Sequence, residues 1–195
     1  MKTPKYIFIH HTAVSYQKNP DQWKATDAYH KGKGWGGGGY NYEMAKDGSI
    51  HQFRKDGTET AAQYQDNMND GRAISICLDG NFDIEDPDMN QKKAMKKFLE
   101  EKMKAYGILK ENIFCHRKVA HYKSCPGTRL PEKIADYFLN PKDMPEEPKV
   151  LEWASDAWHW GINLGLISKD SEPTLEMQRM LTVLYRYDKH LDAKD

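Results

Sequence analysis

The sequence predicts an α/β fold followed by a small helical C-terminal piece, and three observations carry that reading. Apolar runs of strand length, Tyr6–Ile9 and Ala73–Leu78, punctuate the first 140 residues. An Asp47-Gly48 turn between two strand-like segments predicts a β-hairpin. Helical spacing of apolar residues appears between the strands, and it is the only pattern left beyond a proline-bearing stretch at 141–149.

The chain has 195 residues, enough for one domain of ordinary size and a small appendage. Hydrophobic residues make up 38% and mean hydropathy is −0.88, a polar balance that still supplies a core. The 29 basic and 29 acidic residues cancel, which argues against nucleic acid as a partner. The cancellation hides a split: residues 1–140 carry 22 basic and 18 acidic side chains, residues 141–195 carry 7 and 11. The apolar run at the N-terminus is too short for a signal peptide or a membrane span, which predicts a cytoplasmic protein with no membrane partner. Three cysteines (Cys77, Cys115, Cys125) in a reducing compartment favour metal binding over a disulfide framework.

Taken in order, Tyr6–Ile9 reads as a buried strand that ends in His10-His11-Thr12. Strand ends are where a fold can fix a functional side chain and leave room beside it. Asn19-Pro20 and Asp21-Gln22-Trp23 predict a helix start, with Trp23, Ala25, Ala28 and Tyr29 as its buried side and its end before Gly32. Gly34 to Gly39 matches G-x-G-x-x-G, but a helix precedes and a strand follows, the reverse of a dinucleotide site. The glycines instead predict a loop passing close to a site that uses Trp35 and Tyr40. Tyr40–Ala45 and Ser49–Arg54 form the hairpin, Thr60–Asp70 reads as a loop, and Ala73–Leu78 as a buried strand. Met95, Phe98, Leu99, Met103 and Tyr106 predict a helix after Asp88–Asn90, with Gly107 as its C-cap. Asn112–His116 alternates as a short strand, and Leu130–Leu139 predicts the last helix of a domain spanning 1–140. After a linker at 141–149, residues 150–195 predict two short helices, about Val150–Leu164 and from near Thr174. Such a piece is too small for a robust core of its own, so it is expected to dock on a neighbour or to dimerise.

The stretch from Ile113 to Gly127 holds the chemistry. His116 sits at a strand end, and Cys125 follows on a loop closed by Pro126-Gly127, with Lys123 two residues before it. Catalytic zinc takes three protein ligands and leaves a position for water; His10 or His11 with His116 and Cys125 supplies two imidazoles and a thiolate. Zinc lowers the pKa of bound water toward ~7 and polarises a carbonyl, the chemistry that amide hydrolysis needs. A structural zinc site with Cys77 or Cys115 as the fourth ligand is the alternative on residue types alone.

Four ordered motifs go further. Ile7-Phe8-Ile9-His10-His11-Thr12-Ala13, then Gly39-Tyr40-Asn41-Tyr42 with Lys46-Asp47-Gly48, then Ile76-Cys77-Leu78-Asp79-Gly80-Asn81-Phe82, then Cys115-His116-Arg117 with Lys123-Ser124-Cys125-Pro126-Gly127 resemble the zinc N-acetylmuramoyl-L-alanine amidases, the family of phage T7 lysozyme and the peptidoglycan recognition proteins. The resemblance covers roughly residues 4–140. It implies a mixed central β-sheet of about five strands flanked by helices, with a groove for a muropeptide. It also implies one zinc per chain on His10, His116 and Cys125, a catalytic Tyr40, and Lys123 on the oxyanion side. Tyr40 would hydrogen-bond either the zinc water or the oxyanion, and the sequence does not separate these. Trp35 and His11 are further candidates for substrate contact, with His11 alternatively packed behind the metal or in the core. Some relatives carry a glutamate where Cys77 stands, so this chain resembles the tyrosine/lysine type.

The C-terminal piece resembles one unit of an S-layer-homology module through Trp153-Ala154, Trp158, Gly165-Leu166-Ile167, Thr174 and Met180-Leu181…Leu184-Tyr185-Arg186. Leu175 stands where such units carry an arginine. The implied partners are bacterial cell-wall peptidoglycan for the first domain and a secondary wall polymer for the second, with a homodimer as the alternative use of the second. Together these features imply a phage endolysin that stays in the host cytoplasm until lysis and then acts on the cell wall. The rival expectations are a cytoplasmic muropeptide-recycling amidase and a non-catalytic peptidoglycan-binding protein.

Overall fold

The computed structural model describes residues 1–15, 22–63, 68–140, 150–168 and 171–192. The chain divides into two compact units, Met1–Lys142 and Asp143–Asp195. The expected linker at 141–149 and the expected helix start at Asn19–Asp21 lie outside the described residues.

The first unit is built on a five-stranded mixed sheet: β1 (Tyr6–His11), β2 (Tyr42–Met44), β3 (Ile50–Gln52), β4 (Ala73–Leu78) and β5 (Ile113–Cys115), in the order β3-β2-β4-β1-β5. β1 runs parallel to both β4 and β5, β2 runs parallel to β4, and β2–β3 is the antiparallel hairpin. Its helices are α1 (Gln22–Gly32), α2 (Met89–Tyr106) and α3 (Ile134–Leu139). β1 and β4 lie in the middle of the sheet and are buried almost throughout, as expected of parallel strands covered on both faces.

Strand alternation then divides the chemistry. Ile7, Ile9, Tyr42, Met44, Ile74, Ile76, Leu78, Ile113 and Cys115 meet Met95, Phe98 and Leu99 of α2 and Ile134, Ala135 and Phe138 of α3 in one apolar core. The alternate residues turn to the other face. In register across it lie Glu43 on β2, Cys77 on β4 and His10 on β1.

Local signals explain most elements. At the hairpin turn the Asp47 carboxylate accepts from the Ser49 N–H at 2.9 Å and the Ser49 hydroxyl at 2.7 Å. Both strands are shorter than expected because Asn41 interrupts the ladder: its side-chain oxygen accepts from the Ser75 N–H at 2.8 Å. Asp88 and Gln91 form a capping box at the start of α2, and Gly107 closes it at φ 66°. Lys102 on α2 donates to the Tyr42 hydroxyl at 3.0 Å and to Asp56 at 2.9 Å, pinning the helix to the sheet.

Three expectations are corrected. On α1 the buried residues are Gln22 and His30, with Ala25, Ala28 and Tyr29 exposed and Trp23 half-buried. Its inward face is polar because it borders the site face of the sheet, and the helix runs through Gly32. α3 starts at Ile134 instead of Leu130, because the carbonyls of Leu130 and Pro131 accept from the Arg117 guanidinium and the Cys115 thiol. In the second unit, a 3₁₀ turn (Glu152–Ala154) leads into α4 (Ser155–Asn163), and the second helix, α5 (Leu175–Asp192), is long at 18 residues.

This helical pair has a small core of Ala157, Trp158 and Leu181, with Trp160 and Tyr185 packed against it. Gln178 fastens it, accepting from the Leu151 N–H at 2.7 Å and donating to the Pro173 carbonyl at 2.6 Å. Trp153, Met180, Val183, Leu184 and Tyr187 remain exposed.

Glu43 is the unusual member of the sheet. It is 1% exposed, and neither carboxylate oxygen has a hydrogen-bond partner among the described residues. Burial pushes its carboxyl up to about 7 from 4.5; the neighbouring Thr26 hydroxyl pulls the other way and the Asp79 carboxylate adds to the rise. The folded state therefore favours the protonated form. That contribution is whole below the ordinary carboxyl pKa and is lost as pH climbs through about 7, at a cost of roughly 3 kcal/mol. Glu43→Gln keeps the shape and cannot ionise, so it is expected to raise the denaturant midpoint at pH 8 and to change it little at pH 5. Equal shifts at the two pH values would show that Glu43 is charged and solvated.

Candidate functional site

The site lies where β5 ends beside the last residues of β1. Ile9 pairs with Cys115, so the next residues, His10 still in β1 and His116 just past β5, lie side by side with ring centroids 4.4 Å apart. Cys125 arrives on the loop that follows, with its Sγ 3.7 Å from His10 Nδ1. One ligand-type atom from each of the three lies within 4.8 Å of the others.

Arg117 brings that loop back. Its N–H donates to the Cys125 carbonyl at 2.8 Å, and its guanidinium donates to the carbonyls of Ser124 at 3.1 Å, Gly127 at 2.9 Å and Leu130 at 2.6 Å, with Glu132 on its outer side. Asp83 holds the same loop from the opposite side, through the Ser124 hydroxyl and the Thr128 N–H, both at 2.8 Å.

The electrostatics suit a cation held by neutral imidazoles. Burial, helped by His116, His11 and Lys123, holds His10 well below the usual histidine range. Burial and Lys123 take His116 down to about 4. His116 Nε2 is a buried nitrogen with no hydrogen-bond partner among the described residues, a cost of about 1–3 kcal/mol unless something binds it. Burial pushes the Cys125 thiol up to about 12, a value that metal coordination would invert. Two neutral imidazoles, one of them orphaned, and one thiol at this spacing fit a single soft-tolerant metal such as zinc.

The other residues singled out from the sequence fall around this group. The Tyr40 ring lies 5.1 Å from that of His10, and burial beside Cys77 keeps its hydroxyl protonated well above the usual phenol range. Trp35 is 38% exposed and stacks on His30 at 4.7 Å. The glycine loop passes as closely as expected: a Cβ on Gly38 would sit 2.3 Å from the Phe53 ring, and one on Gly39 3.0 Å from Trp35. Arg54 secures the loop by donating to the Gly38 carbonyl at 2.6 Å and the Trp35 carbonyl at 2.8 Å.

Lys123 is exposed at the cleft wall, close enough to influence both histidines. His11 borders the cleft, but its Nδ1 is committed to the Phe82 N–H at 3.2 Å and its ring stacks on Phe82. Cys115 points away, its thiol on the Pro131 carbonyl, so it is no fourth ligand. Cys77 is fully buried beside the Tyr40 hydroxyl.

The cleft over these residues has a volume of about 500 Å³. Among the described residues that line it are two lysines, Lys33 and Lys123, and four histidines, with no carboxylate. Sequence reading missed Arg117, Asp83, His30 and Gln63. Gln63 came from a segment read only as a loop, yet its amide is 3.0 Å from His10 Nε2. Gln63 and Asp83 act on partners 53 and 41 positions away, and the nearer partners of Arg117 and His30 are backbone groups and rings that residue type alone does not announce.

Comparisons with known proteins place the first unit in a family. A family model described as N-acetylmuramoyl-L-alanine amidase matches residues 1–128. Peptidoglycan-recognition protein SC2 of Drosophila simulans is 30% identical over 135 residues, covering 66% of this chain and 71% of that protein. The solved N-acetylmuramoyl-L-alanine amidase LysC from Clostridium intestinale URNW is 28% identical, with a TM-score of 0.59 over 71% of this chain and 86% of that chain. The endolysin amidase LysCS from the same organism is 30% identical, with a TM-score of 0.53 over 71% of this chain and 84% of that chain. With a family model matching residues 1–128 of its 195, the chain belongs to the N-acetylmuramoyl-L-alanine amidase family.

Proposed function

We propose that this protein is a zinc-dependent hydrolase of the amide bond between N-acetylmuramic acid and L-alanine in peptidoglycan, and that it serves a phage as an endolysin. The observation that carries the zinc reading is the convergence of His10, His116 and Cys125, with His116 Nε2 buried and otherwise unpartnered. His10, His116 and Cys125 would hold one zinc. When bound, it supplies a water of lowered pKa and polarises the carbonyl.

The chain's own groups then act on the substrate. The Lys123 ammonium stands where negative charge develops on the carbonyl oxygen, and preorganised donors of this kind favour the transition state over the bound substrate. Tyr40 keeps its proton at neutral pH and so acts as a hydrogen-bond donor at the same centre. Trp35 offers a half-exposed ring at the cleft wall for the body of the substrate. Lys33, with no carboxylate beside it among the described lining residues, attracts an anionic peptide.

The endolysin role is supported by the likeness to LysCS, whose own description is that of an endolysin amidase. It assigns the protein to the host cytoplasm before lysis and to the wall afterwards. The second unit, with Trp153 and the Met180, Val183, Leu184 and Tyr187 side chains of α5 exposed, is the part we assign to wall binding, with self-association as the alternative. Incubation with purified cell walls is expected to release new amino groups without new reducing ends. New reducing ends would mean a glycosidase, and binding without release of either would mean a recognition protein.

Three further outcomes follow from these assignments. Cys125→Ser should lose zinc and hydrolysis while its unfolding remains cooperative; stoichiometric zinc in that variant, by elemental analysis, would remove Cys125 from the ligand set. Lys123→Ala should lower turnover by about 10²–10³-fold, or ~2.7–4 kcal/mol, with little change in KM. Weakened affinity at unchanged turnover would make Lys123 a grip on the peptide instead. Deleting residues 141–195 should leave hydrolysis of a small soluble muropeptide nearly intact, since the catalytic candidates and their core all precede residue 141. The same deletion should weaken binding to intact walls in a pelleting assay; loss of the soluble activity would make the tail part of the catalytic fold.

A further inference from the structure

We infer that Gln63 is the positioning residue for His10, pairing with the imidazole at Nε2 and so leaving Nδ1 for the metal. This rests on the reading of His10 as a zinc ligand. The two nitrogens of the His10 ring face different partners: Nδ1 lies 3.7 Å from Cys125 Sγ, and Nε2 lies 3.0 Å from Gln63 Nε2. Gln63 is fully buried, so water does not compete for either group.

The Gln63 N–H faces His10 Nε2 and donates to it, which places the single proton of the neutral ring on Nδ1. A metal bound at Nδ1 takes that lone pair and requires the proton on Nε2, which must then donate to an acceptor. The side-chain carbonyl of Gln63 is that acceptor once the amide turns over.

The surroundings of Gln63 permit both orientations. Its amide touches two hydroxyls, Ser75 Oγ on the Nε2 side and Thr60 Oγ1 on the Oε1 side at 3.3 Å. A hydroxyl donates or accepts by rotating, so each of these two hydroxyls can pair with either end of the amide. The frame around it is fixed. The Gln63 N–H donates to Asn69 Oδ1 at 2.6 Å, and Ser75 is tied through its N–H to Asn41 at 2.8 Å. The backbone is held while the one group that must change is bordered by partners indifferent to its direction.

The test is zinc affinity of the full-length protein, by competition with a chromogenic chelator, with the metal-free unfolding midpoint of each variant measured alongside. Gln63→Met keeps the volume and removes both ends of the amide; it is expected to weaken zinc binding by roughly 10–100-fold. Gln63→Glu is a permanent acceptor toward Nε2–H and is expected to bind zinc at least as tightly as the wild type, with a larger rise in midpoint on adding zinc. Ser75→Ala, which removes one hydroxyl from the amide, should fall between the wild type and Gln63→Met.

A mere packing role would make the methionine variant the milder of the two, so Gln63→Glu binding zinc more weakly than Gln63→Met overturns the inference. So does wild-type affinity in Gln63→Met. Should Gln63→Met fail to fold, Gln63→Glu decides alone: affinity below wild type overturns the inference. A wild-type protein that takes up no zinc overturns the zinc reading and this inference with it, an outcome distinct from zinc-competent protein with indifferent variants.

Discussion

The parallel pairing of β1 with β4 on one side and β5 on the other sets the site before any loop is placed. His10 stands level with Cys77, and Ile9 stands level with Cys115, so the chain reaches His116 one step later beside His10. Strand side chains have a period of two, so a slip of one residue would exchange the two faces of β1. Ile7 and Ile9 would leave the core under α2 and α3, and His10 would enter it. Fully burying such an isoleucine is worth about 1.5–3 kcal/mol, and an unpartnered imidazole in an apolar core costs on the same scale. The apolar residues of one face thus specify the position of the ligand-type residues on the other, without touching them.

The third ligand-type residue depends on a different force. Cys125 lies on a loop with little apolar burial of its own, and hydrogen bonds to charged side chains hold it. Arg117 serves three carbonyls and Asp83 two donors, all within residues 124–130. Each such bond contributes roughly 1.5–3 kcal/mol against losing it, and the guanidinium fork reaches several carbonyls at once where a lysine would reach one. Gly127 allows the closest approach: at φ +116° it lies against the Phe82 backbone, where a Cβ would be 2.4 Å from the carbonyl oxygen. The sheet therefore fixes two of the three side chains, and a charged staple fixes the third.

This division explains what was legible in the sequence. β1, β4, the Asp47-Gly48 hairpin and both ends of α2 were readable because their causes are local: apolar runs, a turn dipeptide, and a capping box with a left-handed glycine. His10, His116, Cys125, Tyr40 and Lys123 were named from ordered motifs, and the fold brings all five to one cleft. The inward face of α1 was misread because the helix borders a polar cavity. There burial selects Gln22 and His30, and an apolar-moment argument selects the wrong side. Gln63 and Arg117 were invisible for a third reason. The partner of Gln63 is 53 positions away, and Arg117 directly after a strand reads as an ordinary surface cation.

The zero net charge of the chain conceals how burial sorts its titratable groups around the cleft. His10 and His116 lose their charge to burial, and Glu43 on β2 and Asp79 just past β4 are pushed up to about 7 and about 6. What remains charged at the cleft wall is Lys33 and Lys123. Lys33 is braced by two rings, 4.6 Å from the centroid of Tyr29 and 5.4 Å from that of Trp35, so its charge is held in place as well as exposed. The positive charge over the site is that of these two lysines, in surroundings where burial leaves the histidines neutral and Glu43 only partly ionised near neutral pH. Formal charge counted along the chain could not have revealed it, because that count takes the discharged carboxylates at full value.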